Sequence, residues 1–408
     1  MAKVGYEESV EVVELLKDEA GGLMHELGIS TITFYKGDVT PASEALRAQL
    51  ARVVAANPWL AGRLVKVAGK AALRHPAAPA DDAVAELFAA GAATYAPSRG
   101  YEAICTELYK SKANTVVGSG FALLGRDLPL ARLSVLESSP GEFAVVFSLS
   151  HAVADGRTYY EILRMLRPGA DVRALATRRV AAFPETMRDR CNRAALAWVD
   201  GPAAMCQMLP LLLGCGAKAR CHAFLLDDAR VAEAKRAGAA GGGYVSTNDV
   251  LTSGFFVACG TTIGLMGLDC RGRLEGVGDD LAGNYVTALV MDDGVFGTPA
   301  DLREMYATTP YATTTRKLPG ACCAGKVSFA MVSDWASFAG DLVPLDGCEL
   351  LVHVPVVNPA AILWDMMIPF ASGKGRGVLC WTVSTDEAGL RKHLPVGGSV
   401  SDALFPKS

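Results

Sequence analysis

The stretch Phe147-Ser148-Leu149-Ser150-His151-Ala152-Val153-Ala154-Asp155-Gly156-Arg157 changes character at its one histidine. Up to Ser150 it reads as a strand that begins at Glu142. Phe143, Val145, Phe147 and Leu149 share one face. Ala144 and Val146 keep the other face apolar, so both sides are expected to be covered. His151 stands where the chain leaves the sheet. Asp155 and Gly156 then turn into a helix that carries Tyr159, Ile162, Leu163 and Leu166 on one stripe. A glycine supplies backbone freedom at such a turn. Segments leaving a rigid sheet are where reactive groups are commonly presented.

A neutral imidazole can take a proton from an alcohol or an amine near pH 7. Asp155, four residues on and past a turn, is less suited to touch reacting atoms. A buried carboxylate there needs a cation, and an arginine would lock the loop that aims His151. The competing reading is a core histidine with Asp155 as a helix cap. No other His, Cys or Asp lies at ligand spacing, so no metal is expected.

The 408-residue chain is 51% hydrophobic and 20% charged, with a net charge of −4. This composition builds a cored globular protein and excludes a disordered one. No block of like charge points to nucleic acid as a partner. Mean hydropathy is +0.25. The longest apolar stretch, residues 194–216, is interrupted by Asp200, Gly201, Pro202 and Pro210. A spanning helix needs about 20 largely unbroken apolar residues, so no transmembrane segment is expected, while peripheral membrane contact stays open. The 11 cysteines are irregularly spaced and include no Cys-x-x-Cys. Cys322 and Cys323 are adjacent, which suits neither a zinc site nor a mutual disulfide. The acidic N-terminal stretch lacks the apolar run of a signal peptide. A reduced, cytoplasmic protein is expected.

Outward from the histidine, strands are expected at 28–35, 60–67, 71–75 and 129–136. A helix capped by Thr40 ends at Asn57-Pro58, and residues 81–112 carry a helical pattern. Residues 168–220, with Pro168, Pro184, Pro202 and Pro210, read as an irregular crossover. Beyond it come a strand at 223–226, a helix at 228–237, a flexible Gly241-Gly242-Gly243 and a capped helix from Ser246. Further strands are expected at 285–291, 326–332, 349–357 and 377–383. Strands and helices interleave in both halves, giving an α/β (α+β) protein of mixed sheets with packed helices. The boundaries are set at 1–190 for a first lobe, 191–220 for the crossover and 221–408 for a second lobe.

Ser150-His151-Ala152-Val153-Ala154-Asp155-Gly156 resembles the His-x-x-x-Asp-Gly motif of the chloramphenicol acetyltransferase-like superfamily. That group includes BAHD acyltransferases, wax ester synthases and peptide-synthetase condensation domains. Other segments agree in order. Asn57-Pro58-Trp59-Leu60-Ala61-Gly62-Arg63-Leu64 resembles the "Pro-x-Leu-Ala-Gly-Arg-Leu" stretch of BAHD enzymes. Thr247-Asn248-Asp249-Val250-Leu251 is similar to their helix start after the crossover. Asp269-Cys270-Arg271-Gly272-Arg273-Leu274 and Gly283-Asn284-Tyr285 resemble the "Asn-x-Arg … Gly-Asn-Tyr" pair, and Val332-Ser333-Asp334-Trp335 the "Thr-Ser-Trp" segment. The resemblance spans about residues 25–395. One departure is plain: Pro344-Leu345-Asp346-Gly347-Cys348-Glu349-Leu350 stands where BAHD enzymes carry Asp-Phe-Gly-Trp-Gly, a structural element away from the histidine, and this argues against a standard plant-type BAHD enzyme. Ser150 stands where wax ester synthases and condensation domains tend to have a second histidine, which leans toward the BAHD side.

The resemblance implies two similar lobes with an active-site channel between them. It makes His151 the general base, in the motif with Asp155 and Gly156, and pairs Asp155 with Arg271 of the second lobe. Ser333 or the indole of Trp335 becomes the oxyanion donor, and Asn284 orders a loop at the channel. Acyl-CoA is the implied co-substrate, with no resident cofactor and no metal, and the partner is a small alcohol or amine. Lys374 and Arg376, in Ala371-Ser372-Gly373-Lys374-Gly375-Arg376-Gly377, are candidates for the coenzyme's phosphates, against the competing reading of a plain hairpin turn. A monomer is expected. The alternatives are a wax ester or diacylglycerol type synthase, a condensation-type domain fed by a carrier protein, and a silent binding homologue.

Overall fold

The structure, a computed structural model, describes residues 9–79, 82–95, 100–111, 115–213, 218–239, 243–320, 327–338, 342, 344–373 and 375–400. Lys374, Cys322, Cys323, Gly241 and Gly242 lie outside them. In chain order the strands are β1 (Val10–Glu14), β2 (Gly28–Lys36), β3 (Arg63–Val67), β4 (Lys70–Pro76), β5 (Phe88–Ala92), β6 (Ala131–Ser139) and β7 (Glu142–Ser150). The second half adds β8 (Arg220–Leu226), β9 (Ile263–Asp269), β10 (Val286–Asp292), β11 (Phe329–Val332), β12 (Glu349–Pro355), β13 (Asp365–Ala371), β14 (Arg376–Thr382) and β15 (Val396–Ser399).

Two mixed sheets carry the molecule. The first runs β12-β2-β7-β6-β5, and the second runs β10-β9-β11-β13-β14-β8-β15. A small sheet, β1-β4-β3, accompanies the first. β7 lies at the centre of its sheet and is buried from Phe143 to Ser150, as an apolar pattern on both faces requires. The helices Val39–Ala56 and Gly156–Met165 belong to this half, with Leu46, Leu50 and Val53 of one and Tyr159 and Ile162 of the other in a common core. In the second half, Leu251, Phe255 and Phe256 of the helix Thr247–Ala258 pack with Met266, Leu289 and Met367 from the sheet. No helix among the described residues is long and apolar enough to cross a membrane.

Several elements differ from the sequence expectation. β12 was assigned to the lobe at 221–408, but it pairs antiparallel with β2 of the first sheet, Val354 opposite Ile32. The second half thus reaches across and completes the first sheet. The 81–112 pattern is a helix Ala83–Leu87, then β5, then a helix Tyr101–Lys110. Parallel pairing of β5 with β6 overrides local preference there. The crossover is not irregular: it holds helices Phe183–Arg190, Arg193–Val199 and Pro202–Leu212. Pro184 and Pro202 sit in first turns, where the missing N–H costs nothing. Asp38, not Thr40, caps the helix Val39–Ala56, its side chain accepting from Thr40 N at 2.9 Å. β9 and β13 escaped the sequence reading because Gly264, Gly267 and Pro369 break their patterns. Gly264 is dictated by packing, since a Cβ there would lie 2.5 Å from the Phe256 ring.

The helix Thr247–Ala258 opens with a full capping box between Ser246 and Asp249. Ser246→Ala should lower stability by about 1 kcal/mol, read as a shift of the urea midpoint with an unchanged slope.

Candidate active site

His151 follows the last residue of β7, and Asp155 caps the helix Gly156–Met165, its Oδ1 accepting from Thr158 N at 2.9 Å. The other oxygen, Oδ2, accepts from Arg271 Nη1 at 2.7 Å and from Tyr285 N at 2.9 Å. Both charged side chains are nearly sealed, Arg271 at 2% and Asp155 at 5% exposure. Burial pushes the Asp155 carboxyl up, but the Arg271 charge and the hydrogen bonds outweigh it and hold the group below its ordinary value.

Arg271 is satisfied on every side. Its Nη2 donates to Thr158 Oγ1 at 2.9 Å, Gly283 O at 3.0 Å and Leu281 O at 3.1 Å. Its Nε reaches Leu281 O at 3.3 Å, and Nη1 also meets Asp269 Oδ1 at 3.2 Å. The guanidinium lies over the Tyr285 ring. Asp155 therefore does both things the sequence left open: it caps a helix and it pairs with an arginine.

A cavity separates the halves of the molecule at this point. His151, Gly156 and Ile29 line it from the first half, and Asp269, Met331, Ser333, Trp335, Met366 and Ile368 from the second. Its empty volume, mouths included, is about 820 Å³. Burial lowers the His151 pKa from its ordinary 6.5, against the opposing pull of its own carbonyl, the Asp155 charge, Asn284 and the Ala154 backbone. The imidazole is therefore neutral at pH 7.

Ser333 and Trp335 are brought together: the Trp335 indole donates to Ser333 Oγ at 3.0 Å. An indole N–H has one proton to give. Trp335 thus spends its donor on Ser333, while the Ser333 hydroxyl keeps its own proton. Gly156 does not act through backbone freedom, since its φ is not among the positive ones. A Cβ there would lie 3.4 Å from the Phe338 ring and 4.0 Å from Trp335, so glycine keeps the cavity wall thin. Asn284 Nδ2 donates to the His151 carbonyl at 2.8 Å. Residues 371–373 and 375–377 lie at the end of β13 and the start of β14, with Ser372 N donating to Gly375 O at 2.9 Å. Arg376 is exposed there, outside the cavity wall, yet close enough that its charge lowers the otherwise burial-raised Asp334 carboxyl. No group of three or more His, Cys, Asp or Glu that could hold a metal occurs among the described residues.

Other residues join the site without a sequence signal. Glu19 is wholly buried and pairs with Arg179 at 2.7 Å. Neither stands in a recognisable motif. His353 did carry a signal, a lone polar residue in an apolar strand. It is held by Thr33 at 2.8 Å and Tyr160 at 3.3 Å, and burial lowers its pKa to about 3, a neutral strut behind the site.

No family model and no curated protein matches the sequence. Solved structures do match. A trichothecene 15-O-acetyltransferase from Fusarium sporotrichioides is 11% identical, with a TM-score of 0.60 over 94% of this chain and 93% of that one. The first condensation domain of the calcium-dependent antibiotic synthetase, solved with a substrate analogue, is 15% identical, with a TM-score of 0.58 over 94% and 93%. An F. graminearum protein solved with coenzyme A and T-2 mycotoxin is 14% identical, with a TM-score of 0.55 over 94% and 96%. The chain has the fold of these acetyltransferases and condensation domains. In this two-lobed fold His151 lies at the seam between the lobes, and Asp155–Arg271 is a buried ion pair that crosses it.

Asp155→Ala removes the closer of the two carboxylates on the buried Arg271, leaving Asp269, and should cost about 3 kcal/mol, read by chemical denaturation at pH 7. Because the folded value of Asp155 lies below 3.8, its contribution is present above that pH and is lost as pH falls through the folded value. The gap between wild type and Asp155→Ala should therefore close in acid, below pH 3.8.

Proposed function

We propose that this protein is an acyltransferase that moves an acyl group from a thioester, with coenzyme A as the carrier, to a hydroxyl or amine of a small acceptor. The observation that carries the reading is a neutral imidazole and a free serine hydroxyl lining one cavity at the seam between two lobes. The likeness of fold to an acetyltransferase, and to a protein solved with coenzyme A, supports it. Within the superfamily, the Ser150 and Pro-x-Leu-Ala-Gly-Arg-Leu features favour the BAHD branch.

His151 accepts the acceptor's proton as its oxygen or nitrogen attacks the thioester carbonyl. A tetrahedral oxyanion forms, and the Ser333 hydroxyl donates to it. Trp335 acts one step back, fixing Ser333 Oγ so that the hydroxyl proton points elsewhere. Collapse breaks the carbon–sulfur bond, and the proton on the imidazolium passes to the departing sulfur. The products are the ester or amide and a free thiol, with no acyl-enzyme. Arg376 at the hairpin, with Lys374 beside it in sequence, is the candidate contact for the coenzyme's phosphates. One chain supplies every residue named, so a monomer suffices. The likeness to a condensation domain supports a second reading, in which the same thioester arrives on a carrier protein.

Free-thiol release from a panel of acyl-CoAs, with pooled alcohols and amines as acceptors, tests this. Release should require an acceptor and fall by at least about 100-fold in His151→Ala, within the range that general-base catalysis supplies. Histidine-independent release from a folded protein would overturn the assignment. The rate should be flat near pH 7 and drop on an acidic limb centred below 6.5, since His151 must be unprotonated and its pKa is depressed. Ser333→Ala should lower kcat by about 10²–10³ with little change in KM.

A further inference from the structure

The cavity beside His151 is walled largely by apolar side chains, Ile29, Val286, Met331, Val357, Met366 and Ile368 among them. Its charged lining is uneven: the carboxylates Asp155, Asp269 and Asp334 stand against the single cation Arg157. Arg157 is already engaged, with Nε 3.2 Å from Glu161 Oε1 and Nη2 3.3 Å from Asp279 Oδ1. Arg271, behind the wall, is shared between Asp155 and Asp269. Asp334 Oδ1 accepts from Ala336 N at 2.9 Å, while its Oδ2 takes no hydrogen bond and no ion pair among the described residues.

Asp269 and Asp334 belong to neighbouring strand ends. β9 and β11 are parallel partners, with Val332 level with Met266. Asp269 is the last residue of β9, and Asp334 lies two residues past the end of β11. The wall between is tight, since a Cβ on Gly267 would lie 4.0 Å from Ser333 Oγ. Asp269 uses Oδ1 for both Arg271 N and Arg271 Nη1, and its Oδ2 also lacks a partner among the described residues. A carboxylate without a counter-charge is unfavourable in apolar surroundings, and burial pushes both carboxyls up. Arg376 acts on Asp334 by its charge but makes no ion pair with it. A positive group entering the cavity would offset the remaining penalty. A metal ion needs several ligands at once, and the described residues offer no such group. An organic ammonium needs only acceptor oxygens, and its carbon chain suits the apolar wall.

We propose that Asp334, with Asp269 beside it, selects the acceptor by charge: the molecule acylated in this cavity carries an ammonium group apart from the hydroxyl or amine that reacts. Amino alcohols and diamines are the class. The ammonium stays charged throughout. The other end attacks the thioester carbonyl and gives its proton to His151 as the new carbon–oxygen or carbon–nitrogen bond forms. The carbon–sulfur bond then breaks, and the thiol leaves with that proton. Asp334 binds substrate and takes no part in the proton transfer. The assignment rests on the acyl-transfer reading above, but cation binding can be measured without turnover.

The test is calorimetric titration of the full chain with ω-amino alcohols and with the α,ω-diols of the same length. Each pair shares a reacting hydroxyl and differs only at the far end. The best amino alcohol should bind roughly 10–100-fold more tightly than its diol, the range of one hydrogen bond to a charged group. The matching ω-hydroxy acid should bind more weakly than the diol. Asp334→Asn keeps an oxygen for Ala336 N, and so keeps the turn, but should remove most of the preference. Asp334→Glu, which retains the charge and displaces it, should keep part. With an acyl-CoA present, the same preference should appear in KM for thiol release, with kcat changed far less, as uniform binding requires. Equal affinity and equal KM for amino alcohol and diol in wild type overturn the proposal, whether or not any variant folds. A preference that folded Asp334→Asn retains in full overturns it too, as does tighter binding of the hydroxy acid. A cation preference lost in Asp334→Asn, in a protein that releases no thiol, would uphold the cation site and overturn acyl transfer instead.

Discussion

The Asp155–Arg271 pair is the constraint around which the rest is arranged. Two charges are taken almost fully out of water, one from each lobe. Such a pair is weak evidence for stability, because desolvation offsets most of the attraction. Its value here is positional. The other donors of Arg271 reach carbonyls and a hydroxyl of two segments, 281–283 and the first turn of the helix after His151, and the Asp269 carboxylate. A displaced lobe would therefore leave several buried groups unpaired at once. The seam is fixed by the penalty for opening it.

β12 does the same by different means. Chain from the second half adds the edge strand to the first sheet, so the lobes share backbone hydrogen bonds as well as an ion pair. Its His353 then packs beside Tyr160, and Tyr160 beside Trp335. The Trp335 beside Ser333 is thus braced from the first lobe by the Tyr159 and Tyr160 rings. The strand restrains the seam at one place, and the ion pair and buried Glu19, which accepts from Asn284 N, hold the segment 283–285 at another. A cavity whose opposite walls come from different lobes needs that redundancy to keep reacting groups at fixed separation.

Much of this was legible in the chain. The strand Glu142–Ser150 was read to the residue, because an apolar run bounded by a histidine and a helix cap leaves little freedom. Asp155 stood out as a carboxylate after an apolar run, and Arg271 was named only as the partner that the resemblance implies. What was hidden has a common cause. β9 and β13 are strands whose glycines and proline make sense only against Phe256 and the partner strands. β12 changes sheet because of pairing with β2, which no local pattern encodes. Glu19 and Arg179 are ordinary surface residues by composition, and only the folded chain buries them opposite each other. Local physics is written in the sequence at short range, while contacts between segments over a hundred residues apart are not.

The restraints also bear on the proposed role of His151. A general base has to be neutral, yet His151 stands four residues from a carboxylate that pulls its pKa up. Were Asp155 unpaired, two outcomes would compete. It would stay ionised and favour the imidazolium, or take up a proton and weaken its hold on the amides of Thr158 and Tyr285. Either one removes a competent base or the loop that aims it. Arg271 resolves the conflict by directing the carboxylate toward the second lobe, so that burial of the ring dominates and the imidazole stays neutral. The residue that provides this belongs to the opposite lobe. On the proposed mechanism, the environment that keeps His151 neutral is thus completed by a residue of the opposite lobe.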